Sequence, residues 1–264
     1  MSATTAKTLS GKVALVTGSS RGIGAAIALR LASHGANLVI NYVASAAAAE
    51  AVVAKIRALG VEAIAVQADV SKPAEIKRMF AEAISKFGRL DVVMSNSGIE
   101  HFGDLTSVTE EEIDRVLAVN VKAQYVMAQQ AFEHLTDSGR LILISSTSAV
   151  CGFPRHALYG ASKAAIQGMV RSLAWDFGAR KITVNCIAPG GVKTDMYAEA
   201  AAKYLKGGEG MSVEEIDARI SDWSPMSRPG MPEDIAGIVS LLASPEAQWI
   251  TGQTMHANGG SYMI

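Results

Sequence analysis

Tyr159 and Lys163 stand four positions apart in Tyr159-Gly-Ala-Ser-Lys163, inside a stretch where Ile166, Met169, Val170, Leu173 and Ala174 recur at helical spacing. Residues four apart share one face of a helix, so a phenol and an ammonium are presented side by side. A neighbouring cation favours the phenolate and lowers a tyrosine pKa from about 10, giving a proton donor or acceptor usable near neutrality. An exposed surface pair has the same spacing, so the partners decide. The first partner is a glycine turn, Gly18-Ser-Ser-Arg21-Gly22-Ile23-Gly24, set between an apolar run and a helical pattern. Glycines let the backbone turn tightly and approach a pyrophosphate, which then meets a helix N-terminus. The spacing is Gly-x-x-x-Gly-x-Gly, and its strand-to-helix context makes a dinucleotide site the expectation.

An acidic residue at the end of the second apolar run would bind a ribose 2′-hydroxyl and repel a 2′-phosphate. This chain has Asn41-Tyr42 there, with no acid until Glu50. Arg21 offers a forked cation, Tyr42 and Ser45 offer hydroxyls, and Asn41 shares the strand end. These four are predicted cofactor residues, and the cofactor predicted is NADP(H).

Positioning these groups requires a sheet and its helices. Short apolar runs predict strands over Val13–Thr17, Leu38–Asn41, Ala63–Gln67, Asp91–Met94, Leu141–Ile144, Thr183–Ile187 and Gln253–Ala257. Helical patterns fall between them: Ala25–His34, Ala46–Leu59, a helix from Pro73 to Phe87, and Thr109–Leu135. Others surround Tyr159, span roughly 195–222, and run from Pro232 to Leu242. Alternation of strand and helix predicts an α/β fold: a single-domain, Rossmann-like, doubly wound sandwich with a mainly parallel seven-stranded sheet. A loose arm is expected over residues 1–10, and one domain over 11–264.

The 264 residues are 49% hydrophobic and 19% charged with a net charge of −1, which suits a compact domain. That charge gives no attraction for nucleic acid or a membrane surface. Cys151 and Cys186 form no C-x-x-C, and the five histidines never fall three to five apart, so no metal site is expected. Residues 1–10 lack the apolar core of a signal peptide, and no apolar run approaches the ~18 residues of a membrane span, so a cytoplasmic protein is expected.

Taken together, Thr17-Gly-Ser-Ser-Arg-Gly-Ile-Gly24, Asn96-Ser-Gly98, Asn120, Ser146, Tyr159-x-x-x-Lys163 and Pro189-Gly190 resemble a short-chain dehydrogenase/reductase over nearly the whole chain. Three stretches are similar to the fungal polyhydroxynaphthalene and anthrol (versicolorin-type) reductases: Asn96–Ile99, Pro154–Tyr159 and Pro189–Tyr197. Trp223-Ser-Pro225 and the glycine-rich ending point the same way. Two departures touch the pocket: the segment from Ser146 to Tyr159 is one residue shorter than in naphthol reductases, and Ile264 extends the tail past Met263.

The resemblance implies that Tyr159 protonates a carbonyl oxygen as hydride reaches its carbon, while Ser146 holds that oxygen. Lys163 would lower the Tyr159 pKa and bind the nicotinamide ribose, and Asn120 would hold a water linking Lys163 to solvent. Ser145 is the alternative to Ser146, whose offset from Tyr159 fits better. Asp69 and Val70 would meet the adenine, Asn96 to Ile99 (Gly98 included) would lie beneath its ribose, and Pro189, Gly190, Val192 and Thr194 would bind the carboxamide. A lid over about 195–230, with Lys206-Gly-Gly-Glu-Gly210 as its mobile part, would cover the pocket. Tyr197, Tyr204, Trp223 and Met263 are its expected substrate residues; Cys151 and His156 are further lining candidates, and His101 is expected at the surface. The implied substrate is an aromatic ketone or quinone of secondary metabolism, taken by a homotetramer. A 3-oxoacyl thioester reductase, an alcohol or steroid dehydrogenase, or a non-catalytic cofactor-bound scaffold are the alternatives.

Overall fold

The computed structural model describes residues 7–263. Seven strands form one sheet: β1 (Val13–Val16), β2 (Asn37–Tyr42), β3 (Ala63–Gln67), β4 (Val92–Ser95), β5 (Arg140–Ile144), β6 (Thr183–Pro189) and β7 (Thr254–Ala257). Their order is β3-β2-β1-β4-β5-β6-β7, and every neighbouring pair is parallel. Burial on both faces is why these strands read as unbroken apolar runs. The chain reverses direction across the sheet between β1 and β4, and the crevice at that switch point is where such sheets bind ligands.

The helices are α1 (Gly22–Ser33), α2 (Ala46–Ala58), α3 (Pro73–Phe87), α4 (Glu110–Leu117), α5 (Ala123–His134), α6 (Ala157–Gly178), α7 (Asp195–Tyr204), α8 (Val213–Ser221) and α9 (Pro232–Ala243). One core packs α1, α2 and α9 on the sheet through Ile27, Leu31, Val53, Ile56 and Val239. The other packs α3, α5 and α6 on the opposite face through Phe80, Met127, Ile166 and Phe177. This is the doubly wound sandwich expected.

Two expectations are corrected. The first helix starts at Gly22 rather than Ala25, because its glycines form the opening turn instead of preceding it. The helices expected over Thr109–Leu135 are α4 and α5, joined by a π turn, Ala118–Lys122. The loose arm fails at its inner end: Leu9 is buried, its N–H donates to the His34 carbonyl at 2.9 Å, and Thr8 Oγ1 lies 3.1 Å from His34 Nδ1. Residues 1–6 and Ile264 lie outside the described residues. Among the described residues, no helix is long and apolar enough to cross a membrane, and no cluster of His, Cys, Asp or Glu can hold a metal.

Between β6 and α9 the lid region folds on itself. A reciprocal Ser212–Glu215 cap starts α8, and Ala201, Leu205 and Ile220 make a small core with Tyr197, Met211 and Ile216. Gly207 and Gly210 connect the two lid helices with positive φ, a conformation glycine adopts without cost.

Candidate active site

Tyr159 and Lys163 lie one turn apart on α6, and both are buried, at 7% and 2% exposure. The Lys163 ammonium sits 5.5 Å from the Tyr159 ring centroid. Ser146, half-exposed just past β5, stands beside the Tyr159 hydroxyl, where it favours the phenolate. Ser145 is spent elsewhere: it is buried and donates to the Lys163 carbonyl at 2.8 Å. Gly98 closes the group from the β4 side. A Cβ there would stand 3.0 Å from Lys163 Nζ and 3.4 Å from Asn120 Oδ1, so the loop backbone approaches as only glycine allows.

The electrostatics correct one expectation. Burial, and then the Glu100 carboxylate, push the Tyr159 hydroxyl up rather than down, with the neighbouring Ser146 hydroxyl opposing. Burial also pushes Lys163 down to about 8, against the pull of Glu100 and Cys186. Desolvation disfavours both charged forms, and at this depth it outweighs the attraction between them.

Asn120 occupies the π turn with its side chain committed. Oδ1 accepts the Ile99 N–H at 2.9 Å; Nδ2 donates to the Ile99 carbonyl at 2.9 Å and to Ser162 Oγ at 3.1 Å. The Asn120 carbonyl takes Gln124 Nε2 at 3.0 Å. Gln124 also exchanges two hydrogen bonds with Ile144 at the end of β5, fixing the π turn to the sheet. Sequence reasoning missed Gln124, whose signal was a polar residue four after Asn120 on the buried face of a helix.

An aromatic cage surrounds Tyr159. His156 lies 4.6 Å away, Phe102 and Tyr204 pack on His156 at 4.3 and 5.0 Å, and Phe153 stands edge-on to Tyr204 at 5.0 Å. Arg155 adopts φ of 59° just before His156, a left-handed conformation that costs energy for a non-glycine residue and sets the entry to α6. Trp223, 42% exposed, borders the cage through Phe153. Tyr204 and His156 thus pack within this cage, and Trp223 at its border. Tyr197 does not: its hydroxyl donates to Asp217 at 2.8 Å and its ring sits in the lid's own core. Met263 is 76% exposed beside the β7 edge, with Thr254 and Met255, so its expected place in the substrate pocket is also corrected. Cys151 is half-buried. His101, expected at the surface, keeps only 10% of its side chain exposed. Glu100 was not anticipated at all: its carboxylate takes the Tyr204 hydroxyl at 3.0 Å, and burial pushes its pKa up.

The residues expected to bind the cofactor gather at the carboxyl ends of the strands. Gly18 and Gly22 have φ of 58° and 56°, and a Cβ on Gly24 would stand 2.3 Å from the Gly18 carbonyl. Asn96 Nδ2 holds the Thr17 carbonyl at 2.9 Å, and Thr17 Oγ1 accepts the Asn96 and Ser97 N–H groups. This tight loop at the start of α1 fits the pyrophosphate of a dinucleotide. Gly190 passes Asn258 closely, Val192 bridges Gly230, and Thr194 caps α7 while its methyl faces Gly22. Pro189 ends β6, and Val70 is buried beyond β3. Asp69 is pushed up by burial, yet hydrogen bonds from Ser71 and the Lys72 ammonium hold it below the usual carboxylate range; it organises the turn into α3.

Arg21 pairs with Asp195 at 3.0 Å, both exposed. Tyr42 is half-buried at the end of β2, and Ser45 caps α2 by accepting the Ala48 N–H. Asn41 departs from its expected role. It is fully buried, accepts the Gly18 N–H at 3.1 Å and donates to the Ala68 carbonyl at 2.9 Å, so it holds the glycine loop rather than facing a ligand.

Comparison with known proteins gives the following. A family model described as enoyl-(acyl carrier protein) reductase matches residues 18–262. A hydroxynaphthalene reductase-like protein of Metarhizium brunneum is 50% identical over 259 residues, covering 97% of each chain. A short-chain dehydrogenase/reductase of Serratia marcescens superposes with a TM-score of 0.88 at 39% identity, over 96% of this chain and 99% of the other. A short-chain dehydrogenase of Burkholderia cenocepacia, solved in complex with NADP, superposes with a TM-score of 0.87 at 40% identity over the same shares.

Proposed function

The chain belongs to the short-chain dehydrogenase/reductase family, and we propose that it is an NADPH-dependent reductase of a hydroxylated aromatic polyketide ketone, a naphthol- or anthrol-type substrate in its keto form. The observation that carries this reading is buried Tyr159 beside Ser146, with the Lys163 ammonium 5.5 Å from its ring centroid and aromatic rings as its wall. The relative from Metarhizium brunneum is named for the same substrate class. NADPH supplies the hydride when bound, and the glycine loop with Arg21 would hold it; the Burkholderia cenocepacia neighbour was solved in complex with NADP.

The chain's own residues carry the proton. Ser146 and Tyr159 hydroxyls hold the substrate carbonyl oxygen, which polarises it toward the alkoxide. A raised Tyr159 pKa keeps the phenol protonated at neutral pH, as a general acid requires. With a pKa near 8, Lys163 is largely charged at neutrality and meets the phenolate formed when that proton leaves. The Asn120 carbonyl, steadied by Gln124, offers a water the position from which Tyr159 is reprotonated through Lys163.

The finer features of the reading are a cytoplasmic location, a place in secondary metabolism and a homotetramer. Exposed apolar side chains on and around the helical faces support assembly: Leu117, Tyr125 and Phe132 along α4 and α5, Trp175 on α6 and Trp249. The test is NADPH consumption with hydroxylated aromatic ketones and, separately, 3-oxoacyl thioesters, using Tyr159→Phe as the control. Loss of the acid should reduce kcat by about 10²–10⁴-fold while NADPH still binds. Turnover of the thioesters alone would overturn the aromatic reading, and retained turnover by Tyr159→Phe would remove the proposed acid.

A further inference from the structure

Beside Tyr159, more acceptors converge than there are protons to serve them. His156 Nδ1 lies 3.0 Å from the His101 carbonyl, which can only accept, so Nδ1 carries the ring proton. Burial holds His156 neutral, with its pKa pushed down to about 4, and its Nε2 therefore presents a lone pair. The Tyr204 hydroxyl lies 3.1 Å from that Nε2 and 3.0 Å from Glu100 Oε2. It has one proton for two acceptors. Glu100 Oε1 takes only the His101 N–H at 3.3 Å, and stands 3.5 Å from His156 Nε2. With Glu100 ionised, whichever way Tyr204 turns, one acceptor in the cage lacks a donor from the protein.

From this geometry we infer that Glu100 is the docking point for a second hydroxyl of the substrate, a phenolic or enolic O–H on the ring system that bears the reacting ketone. The incoming O–H donates to the Glu100 carboxylate, and Tyr204 turns its own proton to His156 Nε2, which leaves all three acceptors paired. Access favours this direction: the Glu100 side chain keeps 17% of its surface while His156 keeps 2%. Phe102 and Phe153 supply apolar ring walls around this single polar patch, an arrangement that fixes the orientation of a flat ligand. A site built to receive an O–H discriminates far more strongly than a wall of apolar contacts, because the analogue without the hydroxyl leaves the acceptor unpaired.

The inference rests on the aromatic-ketone reading, and its test separates the two. NADPH-dependent reduction of tetralone and of its monohydroxylated ring isomers is measured as kcat/KM for the native protein, Glu100→Gln and Tyr204→Phe. Binding of naphthol and of dihydroxynaphthalenes to the NADP-loaded protein is titrated in parallel. The native protein should prefer at least one hydroxylated isomer by about 10- to 100-fold, the range expected of a hydrogen bond to a charged acceptor. Glu100→Gln keeps the shape but replaces the carboxylate with an amide that can itself donate to His156, so that ratio and the matching binding preference should collapse toward one. Tyr204→Phe leaves the carboxylate in place and should keep the ratio at or above the native value. An unchanged ratio in Glu100→Gln, or the absence of any hydroxyl preference in a native protein that reduces tetralone, overturns the inference. Failure of the native protein to reduce any member while binding NADPH instead overturns the aromatic-ketone reading, and the inference falls with it.

Discussion

Replacing Asn41 with alanine removes an amide that touches no ligand position yet anchors the glycine loop. The substitution strips the Gly18 N–H of its acceptor at 3.1 Å and the Ala68 carbonyl of its donor at 2.9 Å, with two longer contacts to Val66 and Tyr42 at 3.3 and 3.4 Å. A buried polar group left unpaired costs about 1–3 kcal/mol, and the weaker contacts add little, so a loss of about 2–4 kcal/mol is expected. For a domain of this size each kcal/mol lowers Tm by about 2–4 °C, which gives a drop of roughly 5–15 °C. The freed loop should also bind dinucleotides about 5- to 30-fold more weakly, corresponding to about 1–2 kcal/mol of lost positioning. Because Asn41 acts on the loop and not on the 2′-phosphate, NADPH and NADH should weaken by the same factor. Calorimetric melting and parallel titration with the two cofactors measure both effects. An unchanged Tm with weakening confined to NADPH would show that Asn41 contacts the 2′-phosphate, and the scaffold argument would fail.

Arg21→Glu should lower kcat/KM for NADPH far more than for NADH. Asp195→Asn, which releases Arg21 from an exposed ion pair worth about 0–1 kcal/mol, should raise the NADPH preference by at most about fivefold. Equal effects on both cofactors would remove Arg21 from the 2′-phosphate site. Lys163→Met should abolish reduction yet stabilise the fold. The folded pKa, about 8, lies below the ordinary 10.5, so the cost of burying the charge is fully present below pH 8 and lifts as pH rises from about 8 to 10.5. That gap corresponds to about 3 kcal/mol, visible as a higher Tm at neutral pH that converges with the native protein toward pH 10.5. A lower Tm for Lys163→Met at neutral pH would refute this account of the site.

The strands were legible because each is a short apolar run closed by glycine or polar residues, and β3 is predicted to the residue. The chemistry was legible because Tyr159 and Lys163 need only helical spacing, and the glycine loop only its strand-to-helix setting. What sequence did not reveal is which way a side chain turns at a known position. Asn41 stands where a cofactor contact is expected, but its amide points inward to Gly18. Tyr197 and Tyr204 share α7, and packing alone decides that one joins the lid core and the other the cage. Glu100 lies in a loop without periodicity; the available signal was an acid two residues past Gly98, at the carboxyl end of a strand beside the switch point. The lowered Tyr159 pKa failed because spacing predicts the neighbouring charge but not the depth of burial.

The π turn at Ala118–Lys122 makes the number of residues in this segment as consequential as their identity. Each residue turns an α-helix by about 100°, and a π turn accommodates about one extra residue over the same path. Upstream of its end, Asn120 must face Ile99 and Ser162; downstream, Met127, Ala128 and Ala131 must face the sheet. A regular helix cannot meet both demands with this register. Removing any one residue from the turn would straighten the helix and swing one of these sets off its partners, even though every remaining side chain kept its type. Substitutions here can be conservative or severe, but a single deletion has no conservative form.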